Sequence, residues 1–167
     1  EWGRETHNDQ MLFEYLILEG MQAGLSWSLI LKKRENFKRA FDNFDYNICA
    51  NYTDEYLESL REDASIIRNK LKIYSVRKNA LAFIEVQKEF GSFDKYIWGF
   101  TNYKKINNKL ESYKDAASES ELSAKISKDL KKRGFSFVGS TIIYSYMQAI
   151  GMINDHEKGC FCYKECC

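Results

Sequence analysis

The run from Leu12 to Trp27 constrains the fold more than any other stretch of the chain. Residues three and four apart share one face of a helix, so Leu12, Leu16, Glu19 and Ala23 form a stripe that is apolar except for one carboxylate. An ionised carboxylate is costly to bury alone, so Glu19 must meet a cation or donors, or hold its proton. Gly24 then breaks the pattern, and Ser26 is placed to cap a second helix with Trp27 in its first turn. The stretch reads as helix, tight glycine turn, helix, with an acid and an indole near one corner. Two readings stand. One is a pocket for a flat cationic or electron-poor ligand, which an indole face and a carboxylate both attract. The other is a Glu at a solvated helix edge beside a core Trp.

The same 3.6-residue period dominates the rest of the chain, while alternating strand patterns are scarce and proline is absent. The pattern predicts a single all-α domain over residues 1–167, with helices near 9–22, 27–41, 53–61, 64–70, 72–90, 93–100, 119–133 and 140–151. Ser118 and Glu121 have capping-box spacing before the seventh helix. Lys131, Lys132 and Arg133 close that helix ahead of Gly134, which suits a left-handed cap. A net charge of +1 gives no global argument for a polyanionic partner. Basic residues do cluster, at Lys32–Arg34, Arg68–Lys72, Arg77–Lys78 and Lys131–Arg133. No apolar run reaches membrane-spanning length and no signal-peptide pattern opens the chain, so a cytoplasmic protein without membrane contact is expected. The chain opens at Glu1 without an initiator Met, and a preceding segment is expected.

Two further stretches carry chemistry. Ala64 to Asn79 reads as a short helix turning near Asn69-Lys70 into a longer one. Such a hairpin can offer backbone amides together with Arg68, Lys70 and Lys72 to DNA phosphates. Its turn lacks the glycines usual in DNA-binding hairpins, and an ordinary helix pair with a polar corner fits equally well. Near the C-terminus, His156 and Cys160 are spaced to chelate one metal, and imidazole with thiolate is a zinc-like set. A structural site wants four ligands, so Cys162, Cys166, Cys167, His7 or residues before Glu1 would have to complete it. The alternative is a tail of free thiols.

Several runs together resemble the bacterial type I 3-methyladenine DNA glycosylases, within the helix-hairpin-helix glycosylases. They are Glu1-Trp2-Gly3, Leu18 to Trp27, Leu31 to Phe37, Ile66 to Ile73, Lys131 to Thr141, Tyr144 to Ala149 and Asn154-Asp155-His156. The resemblance covers the whole chain. It implies a helix-hairpin-helix glycosylase fold with a zinc-stapled terminus, and an enzyme that flips N3-methyladenine from alkylated double-stranded DNA and hydrolyses its glycosidic bond. Carried over by position, Glu19 would be the catalytic and base-reading acid, with Trp27, Trp2 and Ser145 lining the base pocket. Gly24 and Leu25 would enter the gap left by the flipped nucleotide, with Arg68, Lys70 and Lys72 on phosphates. His156 and Cys160 would supply half of a structural zinc site. The family's other two ligands and two pocket aromatics lie upstream of its Glu-Trp-Gly motif and have no counterpart here. Ser65 also stands where the family commonly has Gly.

An N3-methylated purine is cationic, so its glycosidic bond is already weak, and discrimination matters more than acid catalysis. The family is understood to lack the catalytic Asp of related glycosylases, and Asp155 reads better as a cap or turn residue. No Schiff-base lysine is indicated, so a monofunctional, monomeric enzyme releasing free 3-methyladenine is expected. The rival is a noncatalytic, zinc-containing helix-hairpin-helix DNA-binding module, which leaves Glu19 unexplained.

Overall fold

The structure is a computed structural model and describes residues 3–108 and 117–155. Its elements follow the order α1 (Asp9–Gln22), α2 (Trp27–Ala40), a 3-10 turn (Asp42–Phe44), α3 (Tyr46–Ala50), α4 (Asp54–Leu60), α5 (Lys70–Phe90), α6 (Phe93–Gly99), β1 (Ile106–Asn107), α7 (Glu121–Lys132), α8 (Ser140–Ala149) and β2 (Ile153–Asn154). The architecture is helical as expected. The two strands are short and pair in parallel, Ile106 with Ile153 and Asn107 with Asn154. Among the described residues no helix is long and apolar enough to cross a membrane.

α1 is the axis of the molecule. The sequence gives it one apolar stripe, yet every residue from Leu12 to Met21 is buried, as expected of a helix packed on all sides. α2, α5, α6 and α8 all contact it. Each polar group that α1 carries inward is therefore conspicuous. Asp9 accepts the backbone amides of Phe93 and Asp94, both at 2.9 Å, and so caps α6. Glu14 receives the Arg34 guanidinium at 2.7 Å and fastens α2 to α1.

The predicted helix over 64–70 does not form. Asp63 accepts from both the amide and the hydroxyl of Ser65, folding a local turn. The Ser65 carbonyl is then taken by Asn36 on α2 at 3.0 Å instead of by a helical ladder. Asn69 sits extended and caps α5 through the Lys72 amide, so the long helix begins at Lys70. The capping box is also displaced from its predicted place. Ser120 is the N-cap of α7, reciprocated by Ser123, and Ser118 with Glu121 play no part in the box. Gly134 does take the left-handed conformation after α7, at φ +98°.

Candidate functional site

Glu19 lies deep on α1, 4 % exposed. None of the described residues donates a hydrogen bond to its carboxylate or pairs with it. Burial alone pushes its pKa up to about 8. The contrast with Glu14, one and a half turns earlier on the same helix, is sharp, since Glu14 has a guanidinium and Glu19 has none. Tyr146 of α8 lies within reach of Glu19's charge, and its buried hydroxyl donates to the Leu12 carbonyl at 2.8 Å. Ser145, its neighbour on α8, is half-buried.

The loop between α7 and α8 packs on α1 at Gly20, the residue after Glu19. A Cβ placed on Gly20 would stand 3.2 Å from Phe137 Cβ, so helix and loop approach closely there. Phe137 holds a left-handed φ of +57°, a strained state for a bulky residue that surrounding contacts must enforce. Asn79 of α5 supplies them. Its amide donates to the Ser136 carbonyl at 3.0 Å, and its carbonyl oxygen accepts the Ser136 amide at 2.8 Å. Sequence reasoning missed Asn79, a buried polar residue on the same side of α5 as Ser75 and Lys72.

The turn after α1 is as the sequence suggests. Gly24 takes φ +78°, with open space where a Cβ would stand, and the Ser26 hydroxyl accepts the Leu29 amide. Leu25 projects at 38 % exposure from the tip, while Trp27 is half-buried and packs on the core at the start of α2. Lys72, however, does not face outward. It is 6 % exposed, and its ammonium donates to the carbonyls of Met21 at 2.9 Å and Ala23 at 2.6 Å. It thus satisfies the C-terminal end of α1 and holds the Gly24 turn, with its pKa lowered by desolvation. That role replaces phosphate contact. Arg68 and Lys70 stay exposed at the start of α5, Lys70 lying over the Tyr74 ring.

A glycine-bearing loop joins α7 to α8, whereas near Asn69 no first helix forms. Gly134 follows α7, and Gly139 is the N-cap of α8 without any side-chain cap bond. The first amides of α8 are therefore left for another acceptor. Trp2, His156 and Cys160 lie outside the described residues. His7, the other ligand candidate among the described residues, hydrogen-bonds Asp94 and Glu5 through its two ring nitrogens, at 2.6 and 2.7 Å. Asp155 is buried, accepting from Tyr144, Gln148 and Asn108.

Comparison with known proteins agrees with this geometry. Residues 1–163 match the methyladenine glycosylase family. DNA-3-methyladenine glycosylase 1 of Escherichia coli (strain K12) is 42 % identical over 163 residues, spanning 98 % of this chain and 87 % of that protein. A crystal structure of 3-methyladenine DNA glycosylase I superposes with a TM-score of 0.95 at 41 % identity, covering 98 % of this chain and 90 % of the other. A variant of 3-methyladenine DNA glycosylase I, solved in complex with 3-methyladenine, gives 0.94 at 31 % identity, covering 96 % and 86 %. With matches of this extent in sequence and in structure, the chain belongs to the methyladenine glycosylase family.

Proposed function

We propose that this chain is a DNA repair glycosylase that excises N3-methyladenine from alkylated duplex DNA by hydrolysing its N-glycosidic bond. The observation that carries the reading is Glu19, a buried carboxylate to which none of the described residues brings a countercharge. A cationic purine supplies that charge. On its arrival Glu19 ionises, because an adjacent cation favours the carboxylate, and it accepts hydrogen bonds from the amino-bearing edge. A site of placed hydrogen bonds rejects bases with the wrong donors strongly. Trp27 and Trp2 supply aromatic faces, each worth roughly 1–3 kcal/mol of stacking per base, and Ser145 lines the pocket. The cationic base leaves as a neutral purine, so the protein needs to bind and orient more than to protonate. Water completes the hydrolysis and no lyase step follows.

DNA is held in three places. Leu25, carried by the Gly24 turn, is exposed and apolar and fits the gap left by the flipped nucleotide. Arg68 and Lys70 serve phosphates at the start of α5. The helix-hairpin-helix is α7 with α8, supported by its glycine turn and the uncapped amides of α8. A structural zinc on His156 and Cys160 remains part of the proposal, with imidazole and thiolate as a suitable donor pair. It would staple the end of the chain. One stoichiometric zinc by elemental analysis, lost in Cys160→Ser, is the expected result.

The assignment is tested by incubating the protein with alkylated duplex DNA and separating the released bases. Excess 3-methyladenine over the spontaneous rate is expected, without strand cleavage. Release at the spontaneous rate only would reject it. A noncatalytic DNA-binding module would also fail to bind free 3-methyladenine, which is expected here to quench tryptophan fluorescence.

A further inference from the structure

A groove of about 620 Å³ separates α5 from the α7–α8 loop. Its floor and walls are apolar and aromatic, with Leu71, Tyr74, Phe135 and Phe137 among them, and its rim carries Lys78 and Lys131. Among the described residues no carboxylate lines it. Leu71 and Leu81 are 72 % and 51 % exposed along the same edge of α5, a concentration of bare apolar surface that solvated helices normally avoid.

The charge of the groove is positive. Arg77 in its lining pairs with Asp54. Among the described residues Lys78 meets the neutral hydroxyl of Ser136, at 2.8 Å, and no carboxylate. Lys131 is exposed, and no described carboxylate pairs with it.

We propose that this groove carries one strand of the DNA beside the lesion, with Lys78 and Lys131 on its phosphates and the apolar floor against its sugars. The inference rests on the glycosylase reading and extends it. The groove lies between the two elements already assigned to the backbone, the exposed start of α5 and the α7–α8 hairpin, so a strand touching both crosses it. Lys70 and Lys78 stand about 12 Å apart along α5, the axial rise of about three to four nucleotides of one strand. An acidic protein segment would match the charge but not this position.

The test is affinity for a short duplex holding an abasic-site analogue, measured by fluorescence anisotropy across a salt series. Lys78→Ala and Lys131→Ala should each reduce the slope of log affinity against log salt by about 0.9, and the double variant by about 1.8. Lys78→Arg should restore its share, and free 3-methyladenine should still quench tryptophan fluorescence with wild-type affinity in every variant. Lys131, exposed at the groove's rim, keeps the test valid should Lys78→Ala loosen the Ser136 loop. Unchanged slopes in a protein that binds DNA and free base normally would overturn the groove alone. So would unchanged slopes with lost binding of a poly-glutamate peptide, which would give the groove to a protein partner. A wild-type protein that binds neither DNA nor free base would overturn the glycosylase reading and the groove with it.

Discussion

Among the described residues three acidic side chains are buried, and two of them are accounted for. Glu14 has Arg34, and Asp155 has a phenol and two amides, while the half-buried Asp9 has two backbone amides. Glu19 has none of these, which makes it a cost to folding as well as a candidate for binding. The sign follows from its pKa, about 8 when folded against 4.5 for an unperturbed Glu. Below pH 4.5 both states keep the proton. Between 4.5 and 8 the unfolded chain releases it and the folded chain does not, so stability falls as pH rises through that window and then levels off. The difference amounts to several kcal/mol at the upper end. Glu19→Gln removes it. Melts of that variant should show a gain on the order of 5 °C or more at pH 9 and little gain at pH 5, while free 3-methyladenine binds far more weakly. An equal shift at both pH values would mean that Glu19 is solvated or matched by a charge in the folded protein.

At the level of elements, the sequence specifies helices well where local signals and packing agree. The Asn8, Ser26, Thr53 and Ser92 caps all form beside apolar runs. It misleads where a distant residue intervenes. The amphipathic look of 64–70 loses to Asn36 and the Asp63 turn, because a carbonyl claimed by another helix cannot join its own ladder. Lys72 fails for the same reason. In one dimension it is another cation in a basic cluster, and only the fold brings it 51 residues back to the end of α1. Its burial implies that the Gly24 turn, and with it Leu25, is positioned by an internal ammonium. Lys72→Met keeps the aliphatic stem and deletes the donor. It should destabilise the protein by about 1–3 kcal/mol, since two buried carbonyls lose their partner, and DNA affinity should fall while free-base affinity changes little. Denaturant unfolding and DNA titration check both halves. Weaker DNA binding through phosphate loss alone would lower the salt slope without any loss of stability.

On the scale of the whole molecule, the proposed base pocket draws on segments at opposite ends of the chain, and no periodicity reveals how they meet. Glu19, the glycine turn and Trp27 are neighbours in sequence, so that helix-turn-helix unit is legible there. The partnership of α1 with the 135–137 loop depends on Gly20 and Asn79, residues that look ordinary until the loop is placed. The entry segment is pinned in the same way. The Thr6 amide donates to the Ile150 carbonyl at 2.9 Å, and the Trp98 indole donates to the Thr6 carbonyl at 2.9 Å. Gly151, at φ +81°, lets Arg4 and Glu5 lie directly against the end of α8. A Cβ there would fall 2.4 Å from the Arg4 carbonyl carbon and 2.5 Å from the Glu5 nitrogen, backbone atoms with no rotamer to escape by. Gly151→Ala therefore combines a left-handed penalty with a clash, for a loss on the order of 2–4 kcal/mol. Because the displaced segment leads back to Trp2, free-base affinity at a temperature where the variant is still folded should drop as well. A variant that melts earlier yet binds 3-methyladenine as tightly as wild type would show that this end of the chain braces the fold without shaping the pocket.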